Sequence, residues 1–242
     1  MFDLESLTLV PAYWQIIPST PRTIDIIGIH SAEAAELPNT AEALGAYFNR
    51  HPQITGGRKA STHLGVDCDS VGWYVPFENI AYAAGGINQN GIHIEHAGYA
   101  RQTRAEWLDD YSEAMLRLSA SLTASLCVRY QIPAVWLTPK DLLAKERGIT
   151  SHYNACIAFG GDHWDPGYEF PEDLYIEWVR EAIGDDMTPE QFASMIGASA
   201  SVQNGVVGIE LKQEDGSSDG WWPLADVWEF THRHIKAIDL DN

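Results

Sequence analysis

Residues 23–29 read TIDIIGI and run directly into His30, Ser31 and Ala32. A β-branched run behind Pro21 that stops at a polar residue predicts a buried central strand, because branched side chains pack well on a pleated surface. His30 then stands at the strand's C-terminal end. Downstream, Thr40 opens TAEALGAYFN, where Leu44, Tyr47 and Phe48 recur at helical spacing and the Thr40 hydroxyl suits an N-cap. A strand followed by an amphipathic helix points to an α/β architecture in which helices cover a sheet.

Working outward, THLGVD (62–67) and GWYVPF (72–77) read as two strands joined hairpin-fashion through Cys68, Asp69, Ser70 and Val71. NGIHIEHAG (90–98) is a further strand entered through an Asn90-Gly91 turn. Tyr111, Met115, Leu118, Leu122 and Leu126 predict a long core-facing helix over 107–130. Thr138, Pro139 and Asp141 combine a capping hydroxyl, proline at the first helical position and an acidic third residue, which starts a short helix. Residues 148–170, GITSHYNACIAFGGDHWDPGYEF, show little periodicity and read as a loop region rich in ligand-type side chains. Residues 171–183 predict a closing helix. The expected fold is α/β: a mixed central β-sheet from the segments near 24, 62, 72 and 91, flanked by helices, in a domain of residues 1–183. Beyond it, residues 184–242 form a small acidic α+β C-terminal appendage, with a helix opened by Thr188-Pro189-Glu190-Gln191, a strand pair around VVGIEL and a last helix from Pro223.

Hydrophobic residues make up 45% of the 242-residue chain and charged residues 20%, enough apolar side chains for a core and too few charges for disorder. Acidic residues number 34 against 15 basic, and no Lys or Arg run interrupts the net charge of −19. That balance argues against nucleic acid and against anionic membrane surfaces as partners. The N-terminal MFDLESLTLVPAYWQIIPSTPR lacks the basic start and unbroken apolar stretch of a secretory signal, so synthesis in the cytoplasm is expected. No stretch approaches the roughly 20 apolar residues that span a bilayer. Cys68, Cys127 and Cys156 are too few and too scattered for a disulfide framework or a Cys-x-x-Cys zinc site, and all three are expected reduced.

Zinc hydrolases arrange three protein ligands, often histidine and carboxylate, around a metal and leave a fourth position open. The candidates here are His30 at the strand end, His152 behind Gly148-Ile149-Thr150-Ser151, and Asp165 in His163-Trp164-Asp165-Pro166-Gly167. None of these spacings matches a short metal signature such as H-E-x-x-H. Taken singly, His30 also fits a hydrogen-bonded structural histidine, and Asp165 before Pro166-Gly167 also fits a plain turn.

As an ordered set, IIGIH, GWYVPFENIAYAAG, GIHIEHAG, GITSH and HWDPG resemble the zinc-dependent N-acetylmuramoyl-L-alanine amidases shared by phage endolysins, muropeptide-recycling amidases and peptidoglycan recognition proteins. The pieces run from about residue 20 to residue 180. The resemblance implies that His30, His152 and Asp165 bind Zn2+, with Asp165 where some members carry cysteine. It implies that Glu95 takes a proton from the attacking water, and that His163 stabilises the oxyanion. The substrate so implied is peptidoglycan or a muropeptide, cut at the amide between N-acetylmuramic acid and L-alanine, as in endolysin-type wall lysis. Two other readings stay open: a cytoplasmic muropeptide-recycling amidase, and a non-catalytic peptidoglycan-binding module. The oligomeric state is left open.

Thr62 departs from relatives that carry a catalytic tyrosine there, which leaves base work to Glu95. The tail matches no wall-binding repeat; its 11 acidic residues against 3 basic over 185–242 argue against capture of anionic wall polymers by charge. Glu95 lies in an apolar strand pattern, where an unpaired carboxylate is costly, so function or an ion-pair partner must account for it. Alternation puts His93 on the same face as Glu95, either touching the site from behind or exposed, and sets Ile94 and His96 on the other. His63 is equally a supporting neighbour of the ligands or a structural residue. Trp73, Trp107 and Trp164 suit either a groove or the core, and His232 and His234, two apart on an expected helix, make a poor metal pair.

Overall fold

A computed structural model of the chain describes residues 1–186, apart from positions 52, 55, 57 and 58, together with strands at 199–203, 206–212 and 218–223. In chain order the first unit holds strands β1 (Gln15–Ile16), β2 (Ile26–Ser31), β3 (Leu64–Val66), β4 (Val71–Trp73), β5 (Ile80–Ala81), β6 (Gly91–His96) and β7 (Gly148–Ser151). Its helices are α1 (Thr40–Phe48), α2 (Asp110–Tyr130), α3 (Pro139–Leu143), α4 (His152–Phe159) and α5 (Glu172–Asp186). Five strands form the main sheet in the order β4-β3-β6-β2-β7, and β1 pairs separately with β5.

The sheet is mixed. β2 runs parallel to both β6 and β7, β3 runs parallel to β6, and only the β3–β4 hairpin is antiparallel. Parallel strands need helical crossovers, and these cover both faces. Every residue of β2 is accordingly buried, with Ile27 and Ile29 fully so, and Ile92 and Ile94 do the same on β6. Each such side chain contributes about 1.5–3 kcal/mol by leaving water. α1 packs Leu44 and Phe48 against Tyr74 and Val75, while Ile26, Ala84, Ile87, Leu137, Leu142 and Ala155 form a second cluster.

The central strand extends beyond its apolar run, so that His30 and Ser31 lie inside the sheet. The long helix begins at Asp110, capped by Asp109 through the Tyr111 and Ser112 amides, and Trp107 sits in a preceding 3-10 turn. The capping box at Thr138 and Asp141 forms as expected. Residues 148–170 are not the loop region expected. β7 adds the fifth strand of the sheet, and α4 follows without a break, its N-terminus capped by the Ser151 hydroxyl on the Asn154 amide. Both escape a periodicity reading for the same reason: β7 is short and half polar, and it needs Gly148 because a Cβ there would come 2.8 Å from the Val135 carbonyl oxygen.

The chain divides into two compact units, Met1–Asp185 and Asp186–Asn242. The described part of the second unit is a three-stranded antiparallel sheet, β8 (Ser199–Gln203), β9 (Val206–Lys212) and β10 (Ser218–Pro223), with β9 in the middle. Of the strand pair expected around VVGIEL, β9 carries that segment, and it pairs on both sides, with β8 and with β10. The helices expected from Thr188 and Pro223, and His232 and His234, lie outside the described residues, except that Pro223 itself closes β10. Among the described residues no helix is long and apolar enough to cross a membrane.

Candidate metal centre

Strand register builds the site. Across the parallel pair, His30 lies beside Glu95, and Gly28 lies beside His93, so all four share one face of the sheet. On the other side Gly28 pairs with Thr150, which brings His152, two residues further on, level with His30. His152 is the first residue of α4 and is held there by the cap at Ser151. Asp165 arrives from the loop after α4, which its carbonyl ties back by accepting from the Tyr153 amide at 2.9 Å. Gly167 turns that loop with φ at 105°, packed so closely on the Ala100 carbonyl that no side chain would fit.

His30, His152 and Asp165 are all buried, and one ligand atom from each lies within 4.8 Å of the others. The His30 Nδ1 is 3.0 Å from one Asp165 oxygen, and the His152 Nδ1 is 3.0 Å from the other. Burial by itself would raise the Asp165 pKa, yet the hydrogen bonds from His152 and His30 outweigh it and hold the carboxylate well below its usual range. Burial lowers the His30 pKa in turn. Two imidazoles and one carboxylate, converging in a buried space, form the mixed nitrogen and oxygen donor set that zinc accepts with a position to spare.

Glu95 stands on the adjacent strand with its Oε2 buried and without a hydrogen-bond partner among the described residues. Desolvation pushes its pKa up to about 8, and the charges of Asp165 and Glu33 add to the rise. A proton-transfer group benefits from a pKa near the working pH. His163 lies at the mouth, half exposed, its ring stacked on His152 with centroids 4.4 Å apart and its Nδ1 3.6 Å from Asp165. All five residues singled out from the sequence thus come together.

Two histidines behind the ligands take roles that sequence reading left open. His93 is fully buried, with its Nδ1 3.0 Å from the His30 Nε2. His63 is also buried: its Nδ1 accepts the His93 backbone N–H, and its Nε2 donates to the Asn79 carbonyl. Strand alternation put His93 on the face of Glu95, and Gly28 and Gly91, which flank its ring, make room for it there. His96, on the opposite face, donates from Nδ1 to the His30 carbonyl and accepts from the Ser119 hydroxyl, which meets Tyr175. Thr62 is buried and spends its hydroxyl on the His93 carbonyl. Trp107 is core, Trp73 donates to the Val75 carbonyl, and Trp164 is exposed next to Asp165.

The family model described as N-acetylmuramoyl-L-alanine amidase matches residues 20–168, and the chain belongs to that family. The family membership expected from the five ordered motifs is met. Among solved structures, a selenomethionine derivative of AmpD superposes with a TM-score of 0.51 at 21% identity, over 75% of this chain and 96% of that one. The Staphylococcus aureus hydrolase AmiA, in complex with its ligand, gives 0.46 at 16% identity over 68% and 75%. The catalytic domain of XlyA gives 0.45 at 17% over 72% and 99%. No curated protein matches the sequence.

Proposed function

We propose that this amidase is zinc-dependent and cuts the bond between the lactyl group of N-acetylmuramic acid and the L-alanine of the stem peptide in the manner of an endolysin acting on intact wall. The observation that carries this reading is the convergence of His30, His152 and Asp165 within 4.8 Å. Zinc held by these three side chains would polarise the scissile carbonyl and acidify the attacking water. Glu95 accepts the proton of that water at Oε2 and returns it to the leaving amine, a transfer that suits a carboxyl whose burial brings its pKa up to about 8. His163, at the open side of the site, donates to the carbonyl oxygen as negative charge develops there.

A complete donor set favours catalysis over mere binding of muropeptides. The test is digestion of purified sacculi with and without a zinc chelator, scoring freed L-alanine amines against freed reducing sugar ends. Amines without reducing ends, abolished by the chelator, are the expected result. Amines released only from soluble muropeptides would reassign the enzyme to recycling, and chelator-resistant release would remove zinc from the reaction.

A further inference from the structure

We infer that His93 is a positioning residue for the metal centre: its Nδ1 receives the Nε2–H of His30 and thereby turns the His30 Nδ1 lone pair toward the metal. The inference rests on the zinc reading above. Imidazole carries one proton when neutral, so a histidine that offers Nδ1 to a metal must bear its hydrogen on Nε2, and that hydrogen needs an acceptor. The acceptor in reach is the His93 Nδ1 at 3.0 Å.

The surroundings are built to keep it there. Cβ atoms at Gly28 and Gly91 would come 2.6 Å from the His93 Nδ1 and 3.0 Å from its Nε2, so the two glycines open the space that the ring fills. Its backbone is fixed on both sides, the carbonyl by Thr62 at 2.9 Å and the N–H by the His63 Nδ1 at 3.1 Å. His63 stacks on the ring with centroids 5.7 Å apart. The His93 Nε2 has no hydrogen-bond partner among the described residues. Burying an imidazole with one nitrogen unbonded costs about 1–3 kcal/mol, which a purely structural position would avoid with an apolar residue. An imidazole in this place also orients His30 without adding a further carboxylate beside Asp165 and Glu95.

The test compares His93→Asn, whose amide oxygen falls near the Nδ1 position, with His93→Leu, similar in size but without an acceptor. Zinc affinity of the full chain is measured by competition with a chromophoric chelator. The Asn variant is expected to stay near wild type, and the Leu variant to bind about 10–100-fold more weakly. Equal binding by the Leu variant overturns the inference while leaving the zinc reading intact. Absence of one zinc equivalent in the wild-type chain overturns both. Should the Leu variant fail to fold, 15N-histidine spectra of the zinc-loaded wild type decide: a proton on the His30 Nε2 supports the inference, and a proton on Nδ1 overturns it.

Discussion

A carboxyl oxygen without a partner in a buried place is costly to keep ionised, and Glu95 holds one next to two other acidic groups. Between the ordinary value of 4.5 and about 8, the metal-free folded chain retains a proton that the unfolded chain releases. Stability therefore falls as pH rises across that window. Glu95→Gln is expected to exceed the metal-free wild type in stability by about 4 kcal/mol at pH 8, with the gap closing toward pH 5. Urea melts with chelator at the two pH values measure this; a gap that does not move with pH would contradict the raised pKa. The same variant should keep zinc yet lose roughly 100–10,000-fold in amide hydrolysis. At this scale the convergence of His30, His152 and Asp165 was legible only as an ordered set of motifs, since no short spacing links His30 to His152. The contact between His93 and His30 was not legible. Alternation tells which face a side chain takes, whereas the nitrogen it meets depends on the register of β2 against β6, a long-range pairing.

Elements that carry their own signals were read correctly. The capping box of α3, the β3–β4 hairpin and the apolar stripe of α2 depend on residues close in sequence. β7 and α4 carry no such signals: a four-residue strand with Gly, Thr and Ser has no alternation, and α4 has little amphipathic character beyond its Ser151 cap. They exist because β2 offers an edge to pair with. A related constraint sits at Gly28, where a methyl group would press on the His93 ring at 2.6 Å. Gly28→Ala is expected to lower stability by about 1–3 kcal/mol, as overpacking of a tight interior does. Gly85→Ala, whose added Cβ meets nothing within 4 Å, serves as the comparison. Denaturant midpoints for the two variants check this, and equal midpoints would show that the sheet accommodates the methyl.

For the molecule as a whole, the family match ends at residue 168, but the first unit does not. Tyr175, Ile176, Val179 and Ile183 of α5 are buried. The Tyr175 hydroxyl meets both Ser119 and Thr123, and Ser119 bonds His96, which holds the carbonyl of His30. A chain cut after residue 186 should therefore melt cooperatively, and one cut after residue 168 should not, because removing α5 uncovers apolar side chains and strands a buried polar network. Thermal melts followed by near-ultraviolet dichroism distinguish the two, and a sharp transition in the shorter chain would refute the assignment of α5 to the core.

The three converging side chains, His30, His152 and Asp165, do not rest on equal footings. His30 belongs to a strand paired on both sides, and His152 begins a helix braced by β7, whereas Asp165 rides on a loop between Gly161 and Gly167. A ligand held by all three would draw on two supports set by sheet pairing and on a third tied in place through the Tyr153 amide.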